Sequence, residues 1–550
     1  MLGPPKARCL DRPVLVSLEA LVPAGHFYRH LDAALDLSFV RDWVTGCYAE
    51  RGRPSIDPVI FFKLQLIMFF EGIRSERRLL EQADLNLAHR WYLGYHLDEP
   101  LPNHSSLTRI RERFGLAVFR RFFDRVVQLC ADARLVWGEE LFFDATKVRA
   151  NAALDSLVPR LREVVDGHLV DLFAAAPTEG EGPEAAPVAP VPAPDAPASP
   201  IPLCSPDPAP AQDGYHAAPQ APPARWDLLE SCRLDPDRPA ARGYERASDW
   251  RVSATDADAA LMKAAGQRPA LGYHDHDVVD GGKARIILHA LVTPADVMEN
   301  APMLDQLRRI QFRWRLRPRR VVADTTYGTA ENIGALEAAG IRAYVPLPDF
   351  EARTPYYGTG HFTYEPADDI FRCPAGQPLR RRKAKHTEGV VVYRAEAETC
   401  NACALKAACT VSEHGRTVHR SFHAAAVERV RGYHATAAYR KAMRKRQVWP
   451  EPLFAEAKQW HGLRRFRLRG LPKVNMEGLL VATGQNLKRW LSATGWGRRH
   501  GPAGSLAVVG QTARLVFGSH WAADCRRRPA HSRRELLSLA RFPLTAHPFG

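Results

Sequence analysis

Hydrophobic positions recur at helical spacing through the first quarter of the chain, residues 1–135. Residues 57–71 are almost entirely apolar, which predicts a helix buried on all sides. Residues 73–85 are amphipathic and charged, as in a helix with one exposed face. Residues 102–106 have the composition of a turn with an N-cap, and therefore predict that another helix follows. We expect a helical N-terminal domain over residues 1–135.

Two short apolar runs further along the chain are each followed by an aspartate. Residues 141–143 precede Asp144, and residues 321–323 precede Asp324. Short apolar runs of this kind indicate buried strands, and we expect each strand to end at its aspartate. A helix is expected after Asp144, up to about residue 175.

The region between the two aspartates carries the pattern of a β-hairpin. Apolar and polar residues alternate over 272–279, a tight turn follows at 280–283, and 284–292 is strongly apolar. Helices are then predicted at 298–313 and 330–340, and a strand at 341–347. Strands that alternate with helices favour an α/β core with both faces of its sheet covered.

Composition changes sharply after residue 176. Residues 177–223 contain 15 of the 43 prolines, mixed with Ala, Asp and Gly. Such a segment cannot keep a regular hydrogen-bond ladder, and we interpret 177–225 as a disordered or extended linker inserted into the core. The remaining segments are expected to be core (136–176 and 226–356), a small cysteine-containing insertion (357–422), further core helices (423–500) and a basic, weakly ordered tail (501–550).

The chain is strongly basic, with 76 Lys and Arg against 61 Asp and Glu and a net charge of +15. This excess favours a polyanionic partner, with nucleic acid first and an acidic membrane surface second. The most apolar run, residues 58–70, is interrupted by Lys63 and is too short to span a bilayer. No signal peptide is recognisable, so we expect a cytoplasmic protein without a membrane segment.

Two arginine-rich segments are candidates for DNA contact. One is the helix predicted after residue 106, and the other lies within 461–471. Arginine pairs with phosphate through two parallel hydrogen bonds, although a solvated basic surface is an equal alternative for the first segment. The candidate residues are Arg109, Arg111 and Arg113 in the first segment and Arg464, Arg465, Arg467 and Arg469 in the second.

A third carboxylate, Glu451, completes a set with Asp144 and Asp324. Cleavage of a phosphodiester requires an oxygen to attack phosphorus while the opposite oxygen leaves, and divalent ions held by carboxylates assist both. Lys458 lies seven residues after Glu451, about two helical turns, and so belongs to nearly the same face. Each acid alone has an ordinary structural interpretation, as a cap or as a partner of the helix dipole.

These segments resemble the bacterial insertion-sequence DDE transposases. The matching blocks, in chain order, are a helical N-terminal run (52–79), a first-aspartate motif (141–151), a hairpin (272–280), a second-aspartate motif with its tyrosine (322–328) and a third block with the basic run (451–489). The resemblance covers roughly residues 50–490 without the linker. Pro450 departs from it, since the family usually has an aliphatic residue there; deep in a helix, this proline would kink the chain and move Glu451.

The resemblance implies a ribonuclease-H-like core in which Asp144, Asp324 and Glu451 are catalytic and hold Mg²⁺ or Mn²⁺. Lys458 and the arginine run would then bind the DNA backbone. The implied partners are double-stranded DNA, at terminal inverted repeats and at a target, and a second copy of the chain in a homodimer on DNA. The implied location is the bacterial nucleoid. Two alternatives stay open: a transposase-derived DNA-binding protein without catalysis, and a metal-dependent nuclease of the same fold.

Four cysteines cluster in the predicted insertion. Cys400 and Cys403 have the two-residue separation that lets two thiolates share one Zn²⁺, and Cys373 and Cys409 lie on either side. We predict a structural zinc site formed by these four residues. The alternative is a set of reduced, unliganded thiols that pack a small loop domain.

Overall fold

The computed structural model describes residues 13–49, 55–160, 250–263, 268–348 and 354–496. The predicted linker and the predicted C-terminal tail lie outside these ranges. The described chain is a mixed α/β structure with a helical N-terminal region, as the sequence predicts.

The N-terminal region consists of consecutive helices. They are α1 (Leu18–Leu21), α2 (Phe27–Ala34), α3 (Phe39–Val44), α4 (Pro58–Phe70), α5 (Glu76–Leu85), α6 (Leu87–Leu93) and α7 (His104–Asp132). Helix α4 is buried on nearly all sides, and Asp57 caps it by accepting a hydrogen bond from the Val59 N–H at 2.9 Å. Asn103 caps α7 in the same way through the Ser105 N–H. The predicted helices at 57–71 and 73–85 and the helix after residue 106 are confirmed.

A six-stranded sheet forms the centre of the molecule. Its strands are β1 (Glu140–Arg149), β4 (Ala260–Met262), β5 (Ala270–Asp280), β6 (Ile287–Pro294), β7 (Arg320–Val322) and β8 (Arg342–Tyr344). The main order is β6-β5-β1-β7-β8, and β4 also pairs with β5. Strand β5 runs antiparallel to β1 and β6, whereas β7 and β8 run parallel to β1. The predicted hairpin is therefore confirmed as β5 and β6.

The prediction around Asp144 was wrong in two respects. Strand β1 does not end at Asp144 but continues to Arg149, because every residue from Leu141 to Arg149 pairs with β5. Up to Pro159 the predicted helix is replaced by the rest of β1, a short 3₁₀ turn (Leu154–Ser156) and β2 (Leu157–Pro159), which pairs with β3 (Arg251–Ser253). The remainder of that prediction, residues 161–175, lies outside the described residues. The longer strand places Asp144 in the middle of β1, just beyond the carboxyl end of the shorter strand β7, at that edge of the sheet.

Helices cover the sheet after β6. They are α8 (Met303–Trp314) and α9 (Ala330–Ala338), both at predicted positions, then α12 (Ala424–Tyr433), α13 (Ala437–Val448), α14 (Glu451–Trp460) and α15 (Leu471–Ala493). Helix α15 is held to the edge strand β6 by two buried asparagines. The side-chain amide of Asn475 exchanges hydrogen bonds with the backbone of Val292, and that of Asn486 with the backbone of Ile287. These bonds satisfy the backbone groups that an edge strand leaves unpaired.

The cysteine-containing insertion has a sheet and a small core of its own. Its strands are β9 (Thr363–Glu365), β10 (Ile370–Arg372), β11 (Pro378–Lys385), β12 (Val390–Ala395) and β13 (Thr417–Ser421), paired antiparallel in that order. Two short helices, α10 (Ala397–Asn401) and α11 (Lys406–Cys409), complete it. Its core contains Phe371, Leu379, Tyr393 and Val418. Within the described residues, no helix has the length and apolar character needed to cross a membrane.

Candidate active site

Three carboxylates from separate elements come together at one edge of the central sheet. Asp144 lies in the middle of β1 and is 8% exposed. Asp324 follows β7, the parallel neighbour of β1, by two residues and caps a short 3₁₀ turn by accepting a hydrogen bond from the Thr326 N–H at 2.8 Å. Glu451 is the first residue of α14 and is half-exposed.

One guanidinium group contacts all three acids. Nη2 of Arg446 lies 3.0 Å from Oδ1 of Asp144 and 3.7 Å from Oδ2 of Asp324, and Nη1 lies 4.0 Å from Oε1 of Glu451. The Arg446 side chain is largely buried, at 18% exposure. The sequence-predicted triad is thus gathered around a residue that sequence reasoning missed.

The negative charge at this edge extends beyond the triad. Burial and the charge of Asp324 raise the pKa of Asp144 to about 6, although the positive charge of Arg446 acts to lower it. Asp277 pairs directly with Asp144 across β5 and β1, and burial together with Asp275 and Asp144 raises its pKa well above the ordinary value. Burial and the carboxylates of Asp324 and Asp144 also raise the pKa of Glu299. The site therefore has more carboxylates than nearby cations.

Asp277 and Glu299 were absent from the sequence predictions. A signal for Asp277 did exist, because it lies in a strand of the predicted hairpin directly before two valines; in the structure it is buried, where an unpaired carboxylate is costly. Glu299 lies in the loop after β6, with its Oε1 3.6 Å from Nε2 of His274. Nothing in the local sequence of that loop indicates its approach to Asp144.

Lys458 lies on the site-facing side of α14. Its Nζ donates a hydrogen bond to Oγ1 of Thr146 at 2.5 Å, two residues beyond Asp144 on β1. Burial lowers the pKa of Lys458, while Asp275 and Asp144 act in the opposite direction. Glu456 points elsewhere, toward Lys488 and Arg489 on α15. The seven-residue spacing thus places Lys458 on nearly the same face as Glu451, as predicted, whereas Glu456 lies on another face.

Pro450 does not disturb the position of Glu451. Helix α13 ends at Val448, and Pro450 is the N-cap residue of α14. Its carbonyl accepts a hydrogen bond from the Leu453 N–H at 2.9 Å. A proline lacks only the N–H, which has no helical partner at this point in any case.

Two of the seven predicted DNA-contacting arginines are buried in ion pairs. Arg111 is 2% exposed, and its guanidinium contacts the carboxylate of Glu76. Arg467 contacts the same carboxylate at 3.0 Å and is mostly buried. Both guanidinium groups are thus engaged inside the protein, and the contact of Arg467 joins the N-terminal helices to the segment after α14. The exposed members of the set are Arg109, Arg113, Arg464, Arg465 and Arg469.

The exposed arginines after α14 lie beside the end of β1. The Arg149 N–H donates to the Arg464 carbonyl at 3.2 Å, and the Phe466 N–H donates to the Arg149 carbonyl at 2.8 Å. Arg465 and Arg469 also bond to Asn151 through its side chain and its carbonyl. The arginine run is thus attached to the strand that carries Asp144.

The four clustered cysteines line one cavity of about 130 Å³ in the insertion. All four are free thiols, and the Arg416 N–H donates a hydrogen bond to Sγ of Cys400 at 3.3 Å. Burial, together with the charges of the other three thiols, raises the pKa of Cys409. As they stand, no group of three or more His, Cys, Asp or Glu side chains in the described ranges is arranged to hold a metal ion.

Two family models match the chain. The model described as "Transposase domain (DUF772)" matches residues 16–113, the helical N-terminal region, and the model described as "Transposase DDE domain" matches residues 372–491. The second match contains Arg446, Glu451 and Lys458. Comparison with curated proteins and with solved structures gives no match. Both transposase domains in this order support the insertion-sequence DDE transposase family for this chain, and the DDE domain supports an enzyme.

Proposed function

We propose that this chain cuts DNA at the terminal inverted repeats of its element and joins the cut strands to target DNA, with Asp144, Asp324 and Glu451 as ligands of Mg²⁺ or Mn²⁺. The observation that supports this most directly is the gathering of these three acids, from three separate elements, within 4.0 Å of the Arg446 guanidinium. Structural carboxylates are usually neutralised by their partners, whereas these three share one cation.

The donor set suits a hard divalent cation. All three side chains offer carboxylate oxygens, which Mg²⁺ prefers, and the position among them already accommodates the positive charge of Arg446. Bound divalent ions would activate the attacking oxygen and stabilise the leaving oxygen. The contribution of the chain is to fix the carboxylates on β1, after β7 and on α14, and to place Lys458 beside them.

The sheet topology supports a ribonuclease-H-like core. The strand order is β6-β5-β1-β7-β8, with β1, β7 and β8 parallel and β5 and β6 antiparallel to their neighbours. It places the first aspartate on β1 and the second just after the adjacent strand β7. Helix α14 then supplies the glutamate from one face. This arrangement accounts for three acids that lie far apart in the sequence.

Exposed arginines would position the DNA backbone. Arg464 and Arg465 lie next to Arg149, five residues beyond Asp144 on β1. Five strand residues span roughly 16 Å, so these guanidinium groups would contact phosphates a few nucleotides from the cut. Lys458, next to Thr146, would contact phosphate closer to the reacting bond.

The proposal is tested by an Mg²⁺-dependent cleavage assay on a duplex that carries the end of the element. The variants are Asp144→Asn, Asp324→Asn and Glu451→Gln, with the exposed Asp155→Asn as a matched control. Each site variant should lose at least about 10³-fold in cleavage while it still binds the duplex, because its ligand oxygen is replaced by an amide. Cleavage within tenfold of the wild type in any of the three would refute the assignment.

The products of the same assay separate the two alternative functions. Joined strands are expected when target DNA is added, whereas cleaved but never joined products would indicate a nuclease. A wild-type chain that binds the duplex and does not cleave it in Mg²⁺ or Mn²⁺ would indicate a DNA-binding protein without catalysis.

We also propose that Cys373, Cys400, Cys403 and Cys409 hold a structural Zn²⁺, since all four line one cavity in a small sheet domain. Metal analysis of the purified chain should find about one zinc per chain, because a structural site is nearly filled. The Cys400→Ser variant should lose most of it, and Cys47→Ser, outside the cluster, should not. Less than about 0.2 zinc per wild-type chain would contradict the proposal.

A homodimer on paired DNA ends is the assembly expected from the family. Light scattering of the chain with and without a duplex carrying the element's end would test it. A mass of two chains per complex is expected, and one chain per duplex at saturating protein would contradict this expectation.

A further inference from the structure

The Arg446 side chain lies where a cation is required. It comes from the last turn of α13, five residues before Glu451, and its two terminal nitrogens reach Asp144, Asp324 and Glu451. At this point three carboxylates face one guanidinium, so a single positive charge offsets only part of the negative charge. The pair distances of 3.0–4.0 Å are those of ion pairs, which interact more strongly in a partly buried site than at an open surface.

The helix beneath Arg446 is fixed independently of the triad. Nζ of the neighbouring Lys445 contacts the Glu140 carboxylate and donates to the Gly281 carbonyl at 2.6 Å. Lys445 also lies 4.7 Å from the ring of Trp449. Because these contacts hold the backbone of α13, the Arg446 side chain can leave the triad without movement of the helix.

The Arg446 guanidinium is also incompletely satisfied. Among the described residues, its buried Nε has no hydrogen-bond partner. A buried donor without an acceptor is costly. Of the three contacts with the acids, only the one with Asp144 is a hydrogen bond, and those with Asp324 and Glu451 are longer. The contacts are thus mainly electrostatic, and another cation can replace them.

We propose that Arg446 is an internal counter-ion that occupies the position of the divalent cation in the metal-free enzyme and withdraws when the cation binds. This inference rests on the proposed function, in which the same three acids are metal ligands. It assigns Arg446 a positioning role, since it keeps the acids together while no metal is present. The withdrawn guanidinium, still at the rim of the site, would pair with a DNA phosphate, so that DNA favours entry of the metal.

A direct consequence is that Arg446 competes with the metal. In the absence of DNA, a divalent cation must break these ion pairs and tolerate a nearby positive charge. Removal of that charge should therefore raise the affinity for Mn²⁺ by about tenfold, which corresponds to about 1.4 kcal/mol. Bound DNA should reduce this difference, because phosphate then neutralises the wild-type guanidinium.

The test is titration calorimetry of the full-length chain with MnCl₂ without DNA. The variants are Arg446→Gln, Arg446→Lys, Asp144→Asn and a control, Arg444→Gln, which changes an exposed arginine on the same helix. Arg446→Gln should bind Mn²⁺ about tenfold more tightly than the wild type. Arg446→Lys should show a smaller gain, since it retains the charge, and Arg444→Gln should stay within twofold.

An equal or weaker Mn²⁺ affinity in Arg446→Gln would overturn the inference, because an arginine that only assembles the ligands would leave them less ready for metal when it is removed. Circular dichroism and melting without metal confirm that the variants are folded before titration. The Asp144→Asn variant shows whether the inference on Arg446 fails or the proposed metal site itself fails. If Asp144→Asn loses Mn²⁺ binding and Arg446→Gln does not gain it, the inference on Arg446 alone falls. If Asp144→Asn binds Mn²⁺ as the wild type does, the proposed metal site falls.

Discussion

Two clusters of opposite charges lie in this protein, and their ratios of acid to base differ. At the sheet edge, three carboxylates surround the single guanidinium of Arg446. Between the N-terminal helices and the segment after α14, the guanidinium groups of Arg111 and Arg467 contact the single carboxylate of Glu76. The first cluster opens to solvent at Glu451, whereas Glu76 is buried.

This difference in the ratio of acids to bases distinguishes a candidate functional site from a structural contact between two regions. In the Glu76 cluster, Glu477 and Arg74 add a further acid and base, and every charged group has a protein partner. Burial, together with the charge of Arg467, nevertheless lowers the pKa of Arg111 to about 10. In the Arg446 cluster, the acids outnumber the base and the pKa of Asp144 is raised. An excess of acids over bases, as in the Arg446 cluster, indicates a place for an external cation.

The largest expected contrast is in catalysis. Asp324→Asn should lower the rate of DNA cleavage by at least about 10³-fold, since it removes a metal ligand, without a loss of stability. Glu76→Gln should leave cleavage within about tenfold, provided that the rate is measured well below its melting temperature. Rates on the same duplex would check both. A comparable loss of cleavage rate in the two variants would remove the distinction between the functional site and the structural contact.

The reverse contrast is expected in stability. Glu76→Gln leaves Arg111 and Arg467 without their shared carboxylate and should lower the free energy of unfolding by about 3–5 kcal/mol. The control is Glu112→Gln, which removes an exposed ion pair with Lys473 and should cost less than about 1 kcal/mol. Urea denaturation measures both. Equal losses in the two variants would show that the Glu76 cluster does not join the two regions.

The pH dependence of stability should distinguish Asp144 from a structural acid. Its pKa in the folded chain, about 6, lies above the ordinary 3.8. Folding therefore favours the protonated acid, and this stabilisation is complete below about pH 4 and is lost as the pH rises through 6. Asp144→Asn should be more stable than the wild type by about 1–3 kcal/mol at pH 8, and equal to it at pH 4.

Unfolding without added divalent metal, at both pH values, measures this effect. A wild type that is more stable than Asp144→Asn at pH 8 would show that Arg446 fully compensates the burial of Asp144. In that case the two clusters would be electrostatically alike.

The smallest expected effect concerns the exposed arginines. Arg465→Gln should lower the affinity for DNA by a few fold and reduce the slope of log K against log salt by about 0.9, as for the loss of one phosphate contact. Arg467→Gln should lower stability and leave the salt slope unchanged. Binding titrations at several salt concentrations would compare them, and equal slopes in the two variants would contradict their separate roles.

Much of the fold follows from local patterns. The hairpin of β5 and β6 was predictable because alternation and a tight turn act within a few residues. The extent of β1 was not predictable, since residues beyond Asp144 become a strand only by pairing with β5. Local composition cannot supply a partner that lies more than a hundred residues away.

Only those site residues that belong to a recognisable sequence motif or spacing were predictable. Asp144, Asp324 and Glu451 are identified by their order and their neighbours, and Lys458 by helical spacing. Arg446 lies in a run of basic residues, and its contact with three acids is visible only in three dimensions. Arg111 and Arg467 show the converse, because a sequence reveals a charge but not whether that charge already has a partner.

The central claim is that the three acids form the binding site of a divalent cation. Anomalous diffraction from crystals grown with Mn²⁺ tests it most directly. We expect an anomalous peak about 2.0–2.4 Å from carboxylate oxygens of Asp144, Asp324 and Glu451, with the Arg446 guanidinium moved away from them. A Mn²⁺ peak elsewhere, with Arg446 still in contact with all three acids, would contradict the account.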